Sequence, residues 1–263
     1  MPVSIALVQF SIAPSQPLVN LQRMETFVKD AVEKGAQIVV FPEDSVCGPL
    51  SGQTDFVTHA PAYLLEFKKM AIKYQVDIVP GSWTANTNGR HYNTTYYVNK
   101  DGTVAGTYQK IHLWASEKSR VTPGSKPCVF RTAYGMVGLT ICWDVSFPML
   151  FAEMNKLGVQ MVISPSYWSL TKKAEAVFET SEDEILLIDS LCTSRAFENN
   201  IVFVYCNAAG TLEVDGIKAT LSGRSQITHP GEKVVCKSVS NDEEMLIASV
   251  ELPIQGPPRK RLF

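Results

Sequence analysis

Three stretches of this sequence place reactive side chains just past segments that read as strands. In Gly138 to Pro148, GLTICWDVSFP, Cys142 stands where the apolar run stops, and Trp143, Asp144 and Phe147-Pro148 turn the chain toward a helix. Gln37 to Phe41 runs directly into Pro42-Glu43-Asp44, and Thr103 to Tyr108 delivers Lys110. A nucleophilic thiol needs a base for its proton. It also needs a cation or N–H donor to hold the oxyanion formed when it attacks a carbonyl-like carbon. A carboxylate, an ammonium and a thiol meet that need without a histidine. At a strand-to-helix turn the positive end of the helix can also favour a thiolate. Each residue has an ordinary reading too: Cys142 as a buried structural thiol, Glu43 and Asp44 as solvated loop acids, Lys110 as a surface charge. Spacing along the chain does not show that the three loops converge, so residue types alone leave both readings open.

The elements that must position these loops alternate between helix and strand. Val3 to Phe10 reads as a buried strand, followed by a helix from about Asn20 to Lys34 with Met24, Phe27, Val28, Ala31 and Val32 on one face and Gly35 as its cap. A second helix spans Ala62 to Tyr74, and Asp77 to Trp83 reads as one strand. Tyr92 to Asn99 and Thr103 to Tyr108 form a hairpin across Lys100-Asp101-Gly102, leading into a polar loop, Ala115 to Lys126, that holds Glu117. Cys128 to Thr132 and Met136 to Cys142 make another hairpin. A helix from Pro148 to Leu157, a strand Gln160 to Ser164 and a turn Pro165 to Trp168 follow. Ser181 with Glu184 reads as a capping box opening a helix to about Asn199. Strands at Ile201 to Tyr205, Ser225 to Thr228, Val234 to Ser238 and Met245 to Glu251 complete the pattern before an extended tail, 253–263. No repeat or linker interrupts the chain, so residues 1–263 are expected to form one α/β domain with mixed sheets covered by helices.

Composition narrows the function classes. A chain of 263 residues with 45% hydrophobic and 19% charged residues can bury a large core. A net charge of −2 gives no reason to expect nucleic acid or an anionic membrane as partner. The amino terminus lacks a basic n-region, and no apolar run reaches membrane-span length. The cysteines at 47, 128, 142, 192, 206 and 236 contain no CxxC pair, and the four histidines are scattered. That pattern predicts neither a disulfide framework nor a metal site, and it fits a reducing, cytoplasmic setting. No cofactor is expected.

Five segments in order make a specific resemblance: FPED at 41–44, YQKIHL at 108–113, ICWDVSFP at 141–148, SRAFENN at 194–200 and GRSQITHPGE at 223–232. Together they resemble the nitrilase superfamily of carbon–nitrogen hydrolases, in its amidase-like branch, over nearly the whole chain. The resemblance implies a four-layer αββα sandwich assembled as a homodimer or higher homo-oligomer. It implies a Glu–Lys–Cys centre, with Glu43 as general base, Cys142 as nucleophile and Lys110 as stabiliser of the tetrahedral intermediate. Glu117 would orient substrate and lysine, and the Trp143 N–H would be a further oxyanion donor. Trp143, Tyr167 and Trp168 are expected at the substrate, Cys47 either at the pocket or buried, and Arg195 and Glu198 as a packing pair. The implied reaction is hydrolysis of a small amide through a cysteine thioester. The alternatives are nitrile or N-carbamoyl hydrolysis at the same centre, and a catalytically silent ligand-binding protein. Loss of Glu43, Lys110 or Cys142 would signal silence, and all three are present.

Overall fold

The computed structural model describes residues 2–49, 55–170, 180–214 and 217–254. Strand β1 (Val3–Gln9) alternates its faces: Val3, Ile5 and Leu7 enter one buried cluster, Ala6 and Val8 another. That period-2 split puts apolar layers on both sides of the sheet. Helix α1 (Pro17–Glu33) buries Met24, Val28 and Ala31 against the second cluster, and β2 (Ile38–Val40) is buried on both faces. Next come the short α2 (Asp55–Thr58), α3 (Ala60–Tyr74), β3 (Asp77–Val79), β4 (Ser82–Thr87), β5 (Arg90–Val98) and β6 (Val104–Gln109). The second half carries β7 (Cys128–Arg131), β8 (Met136–Leu139), α4 (Pro148–Lys156), β9 (Met161–Ser166), α5 (Ser181–Asn199) and β10 (Val202–Asn207). A small hairpin of β11 (Thr211–Val214) and β12 (Ile217–Thr220) follows, and then β13 (Gln226–His229), β14 (Lys233–Lys237) and β15 (Glu244–Val250).

Two mixed sheets result. One runs β15-β1-β2-β3-β5-β4 with β6 on β5, the other β14-β13-β10-β9-β8-β7. Strands β1, β2 and β3 are mutually parallel in the first, β8, β9 and β10 in the second. The face of β1 bearing Ile5 and Leu7 shares a cluster with Leu139, Ile163 and Val204, so the sheets pack face to face. α1 and α3 cover the outer face of the first sheet, and Phe151, Met154, Ile188 and Cys192 bring α4 and α5 against the second. This is the expected αββα sandwich. No helix among the described residues is long and apolar enough to cross a membrane.

Several local expectations need correction. The strand expected over 77–83 is two, β3 and β4, broken at Pro80-Gly81. Gly81 has φ +82, and a Cβ there would stand 1.9 Å from the Pro42 carbonyl oxygen, so only glycine lets the loop after β2 pass. Pro165 lies within β9, not in a turn. It pairs with Cys206 of β10, and β8 has ended on the side its missing N–H would face. The cap of α5 is Thr180 with Asp183: the Thr180 hydroxyl accepts from the Asp183 N–H at 3.1 Å. Glu184, one residue further round, is turned inward. The β11–β12 hairpin had no counterpart in the sequence reading. Residues 255–263 of the expected tail lie outside the described residues.

Candidate active site

Glu43 follows β2 on a loop held from below. The Ser45 hydroxyl donates to the Pro80 carbonyl at 2.7 Å, and Thr95 donates to the Gly81 carbonyl at 2.7 Å. Glu43 is buried, with its N–H on the Ser166 carbonyl and its Oε2 accepting the Tyr167 N–H at 2.9 Å. Lys110 follows β6, and its backbone N–H donates to the Asn93 carbonyl of β5. Its side chain is 2% exposed, and Nζ reaches Glu43 Oε1 at 2.8 Å and Glu117 Oε2 at 2.7 Å. One amide binds both acids: Asn93 Nδ2 donates to Glu43 Oε1 at 2.8 Å and to Glu117 Oε1 at 2.9 Å. Glu117 sits in a short 3-10 turn (Ala115–Glu117), where its Oε2 also accepts the Trp114 N–H at 2.7 Å.

Cys142 opens a 3-10 turn (Cys142–Ser146) between β8 and α4, with φ +45. A non-glycine residue in the left-handed region is uncommon and strained, and it persists where its surroundings over-determine it. Asp144 supplies that determination. Its buried carboxylate accepts from the Ile141 N–H at 3.0 Å, the Tyr108 hydroxyl at 2.8 Å and the His112 N–H at 2.9 Å. His112 Nδ1 lies 2.8 Å from the same carboxylate, and its ring stacks on Phe147 at 3.7 Å. One side chain thus ties the lysine loop to the cysteine loop.

The thiol of Cys142 is buried beside Glu43 and Lys110, close enough for both to act on it electrostatically. Burial and the neighbouring Glu43 push this thiol well above the ordinary cysteine range, against the pull of Lys110. The resting group is therefore a neutral thiol. A helix terminus does not offset this, since α4 begins only at Pro148, beyond the 3-10 turn. Burial, with the charge of Glu117 adding to it, raises Glu43 despite Lys110. Lys110 is held charged well above the usual lysine range, because Glu43, the Cys142 sulfur and Glu117 together outweigh burial. A neutral thiol against an ionisable base with a raised pKa suits proton transfer at near-neutral pH.

Glu43, Lys110, Cys142 and Glu117 thus come together. Of the aromatic residues expected at the substrate, Trp143 is half-buried beside Trp114, with ring centroids 4.5 Å apart and nearly perpendicular planes. Tyr167 touches the centre through its backbone N–H. Trp168 is a correction: it is buried behind Trp143, its Nε1 donates to Glu184 at 2.9 Å, and its N–H to Asn207 at 2.8 Å. Both of its N–H donors are therefore taken within the fold. Cys47 is buried in the helix-side cluster, and burial raises its thiol to about 11. Arg195 is buried on the Val145 carbonyl and pairs with Glu198 at 2.9 Å, as expected of a packing pair. Asn93, Asp144 and Glu184 were missed. The signal for Asn93 was an amide inside the aromatic and β-branched strand HYNTTYYV; Asp144 offered only its place two residues past the thiol. Of the loops expected to line the pocket, 52–61, 114–126 and 167–178, residues 52–54 and 171–178 lie outside the described residues.

The model of the carbon–nitrogen hydrolase family matches residues 4–254. This chain is a carbon–nitrogen hydrolase. A probable nitrilase of Schizosaccharomyces pombe is 29% identical to it, over 100% of this chain and 94% of that protein. The omega-amidase NIT2 of Xenopus tropicalis is 27% identical, over 98% of this chain and 92% of its own. Among solved structures, an amidase from Nesterenkonia sp. is 25% identical, with a TM-score of 0.81 over 95% of this carbon–nitrogen hydrolase and 90% of that chain.

Proposed function

We propose that this carbon–nitrogen hydrolase cleaves a small amide through a thioester on Cys142. Glu43 takes the thiol proton as the sulfur bonds to the carbonyl carbon, and the carbonyl oxygen becomes an oxyanion. Lys110 has three N–H donors; two are bound by Glu43 and Glu117, which leaves the third for the oxyanion. The Trp143 N–H is the second donor. It precedes the first bond of its 3-10 turn, from the Asp144 N–H to the Ile141 carbonyl, so the turn does not consume it. The C–N bond then breaks, the proton on Glu43 passes to the leaving nitrogen, and ammonia departs. Water attacks the thioester, giving its proton to Glu43. The carboxylic acid leaves, and the proton returns to the sulfur. Glu117 positions Lys110.

The observation that carries this reading is the buried Glu43 carboxylate, which binds Lys110 at 2.8 Å and acts electrostatically on the buried thiol of Cys142. The test is intact-mass measurement after acid quench with a pool of short amides, nitriles and carbamoyl compounds. The wild type is expected to gain an acyl mass that Cys142→Ala lacks. An adduct-free wild type that releases no ammonia would defeat the reading. Nitrile hydrolysis is the second reading, favoured by the name of the fission-yeast relative, and it would yield acid from a nitrile without free amide.

The expected reducing, cytoplasmic setting is supported by six free thiols, four of them buried. A homo-oligomer is supported by the outer face of α5, where Leu186 is 65% and Phe197 73% exposed, with Met149 of α4 also exposed.

A further inference from the structure

Beside the residues used above stands a carboxyl that the mechanism does not need. Asp44 follows Glu43 directly, in the left-handed region at φ +56, with its carbonyl accepting the Gly48 N–H at 2.7 Å. The residue is half-buried. Its carboxyl accepts no hydrogen bond and forms no ion pair among the described residues, although Glu43, Glu117, Lys110 and Tyr167 all lie within its electrostatic reach. Its oxygens are not among the fully buried polar atoms left without a partner, so the carboxyl is open to solvent and to a ligand. The cation nearest in role, Lys110, is already bound at 2.8 and 2.7 Å by the two glutamates. Arg120 acts on Asp44 only as a field, from an exposed position on the loop after Glu117. Arg195 is spent on Val145 and Glu198. His112 is spent on Asp144.

We propose that Asp44 is a specificity residue whose carboxyl receives an ammonium or N–H donor on the substrate, away from the bond that is cleaved. The preferred amides then carry a cationic or donor group on the acyl chain, and amides ending in a second carboxylate are disfavoured. This rests on the amide reading above. Two pieces of physics support it. A donor from the substrate supplies the partner that Asp44 lacks, and it does so only in the complex. A substrate carboxylate would instead meet Asp44 with Glu43 and Glu117 behind it, a like-charge approach that the bound Lys110 does not offset. Burial, then the charges of Glu43 and Glu117, raise the Asp44 carboxyl well above the ordinary range. A cation in the pocket would reverse that shift.

The test is a matched series of aliphatic amides of one chain length, ending in an ammonium, a methyl or a carboxylate, read by ammonia release. For the wild type kcat/KM is expected to fall in that order, by about tenfold or more from first to last. In Asp44→Asn the ratio of ammonium to methyl amide should drop about tenfold, chiefly through KM. A wild-type preference for the carboxylate amide, or an unchanged ratio in Asp44→Asn, would overturn the inference. The wild-type ranking needs no variant, so a poorly folding Asp44→Asn protein does not shield the idea. Turnover of all three amides without charge preference removes the role of Asp44 and leaves the amide reading standing. No turnover and no adduct on Cys142 with any of them removes both.

Discussion

Lys110 is buried with two carboxylates on its ammonium, and such an arrangement is stable only because every partner is satisfied. Lys110→Ala removes one proposed oxyanion donor, worth about 3–4 kcal/mol of barrier, or a loss of about 10²–10³ in kcat. Steady-state kinetics on the best amide checks this, and near-normal kcat would exclude the role. The acid limb of kcat/KM should report Glu43, whose carboxylate is the active form. Burial raises this group, so the limb lies above its ordinary value of 4.5. Asn93 donates to the charged carboxylate and favours it, so Asn93→Ala should move the limb to higher pH. The charge of Glu117 raises Glu43, so Glu117→Gln should move it down toward 4.5. Shifts of the same sign in both variants would contradict the arrangement. The sign also bears on stability. A glutamate with a raised folded pKa contributes stability below its unfolded pKa, and that contribution is lost as pH rises through the folded value. Ionising the base for catalysis therefore works against the fold.

At the scale of elements, the site depends on loops from two sheets keeping their relative position. Asp144 makes that connection, joining the end of β8 to the loop after β6 through four contacts. Asp144→Asn keeps the shape but turns an amide N–H₂ toward groups that are themselves donors. Leaving one or two buried donors unsatisfied costs about 1–3 kcal/mol each. Urea unfolding should show a lower midpoint at unchanged slope, accompanied by reduced turnover. Full stability in Asp144→Asn would mean that the two loops are held by other contacts.

At the scale of the whole molecule, the outer helical layers differ in what they leave open. α5 buries Ile188 and Cys192 and presents Leu186 and Phe197, eleven residues apart and so on one side of the helix. A charge placed there should break a pairing of such faces. Phe197→Asp is expected to lower the mass seen by sedimentation equilibrium relative to the wild type. An unchanged mass would move the interface elsewhere or leave the protein monomeric.

Much of this was legible from residue pattern because its causes are local. Apolar runs such as ALV at 6–8 and VVF at 39–41 read as buried strands, and Glu43, Lys110 and Cys142 each stand just past a segment that reads as a strand. The order of five segments carried the family, and with it the sandwich. What the sequence could not supply depends on which loops meet. The break at Gly81 follows from the approach of the Pro42 carbonyl, thirty-nine positions earlier in the chain. Thr180, not Ser181, caps α5 because Glu184 is drawn inward to Trp168. Asn93 became part of the site only when β5 laid its amide between two glutamates from separate loops. The protonation of the thiol was also a tertiary outcome. A nearby helix end could have favoured a thiolate, but burial beside a carboxylate outweighs a helix that starts six residues away. Sequence by itself determined most of the elements and the reactive residue types, since these follow from side-chain pattern along the chain. Tertiary structure decided the charges and partners of those residues, since both depend on distance and desolvation between segments far apart in sequence.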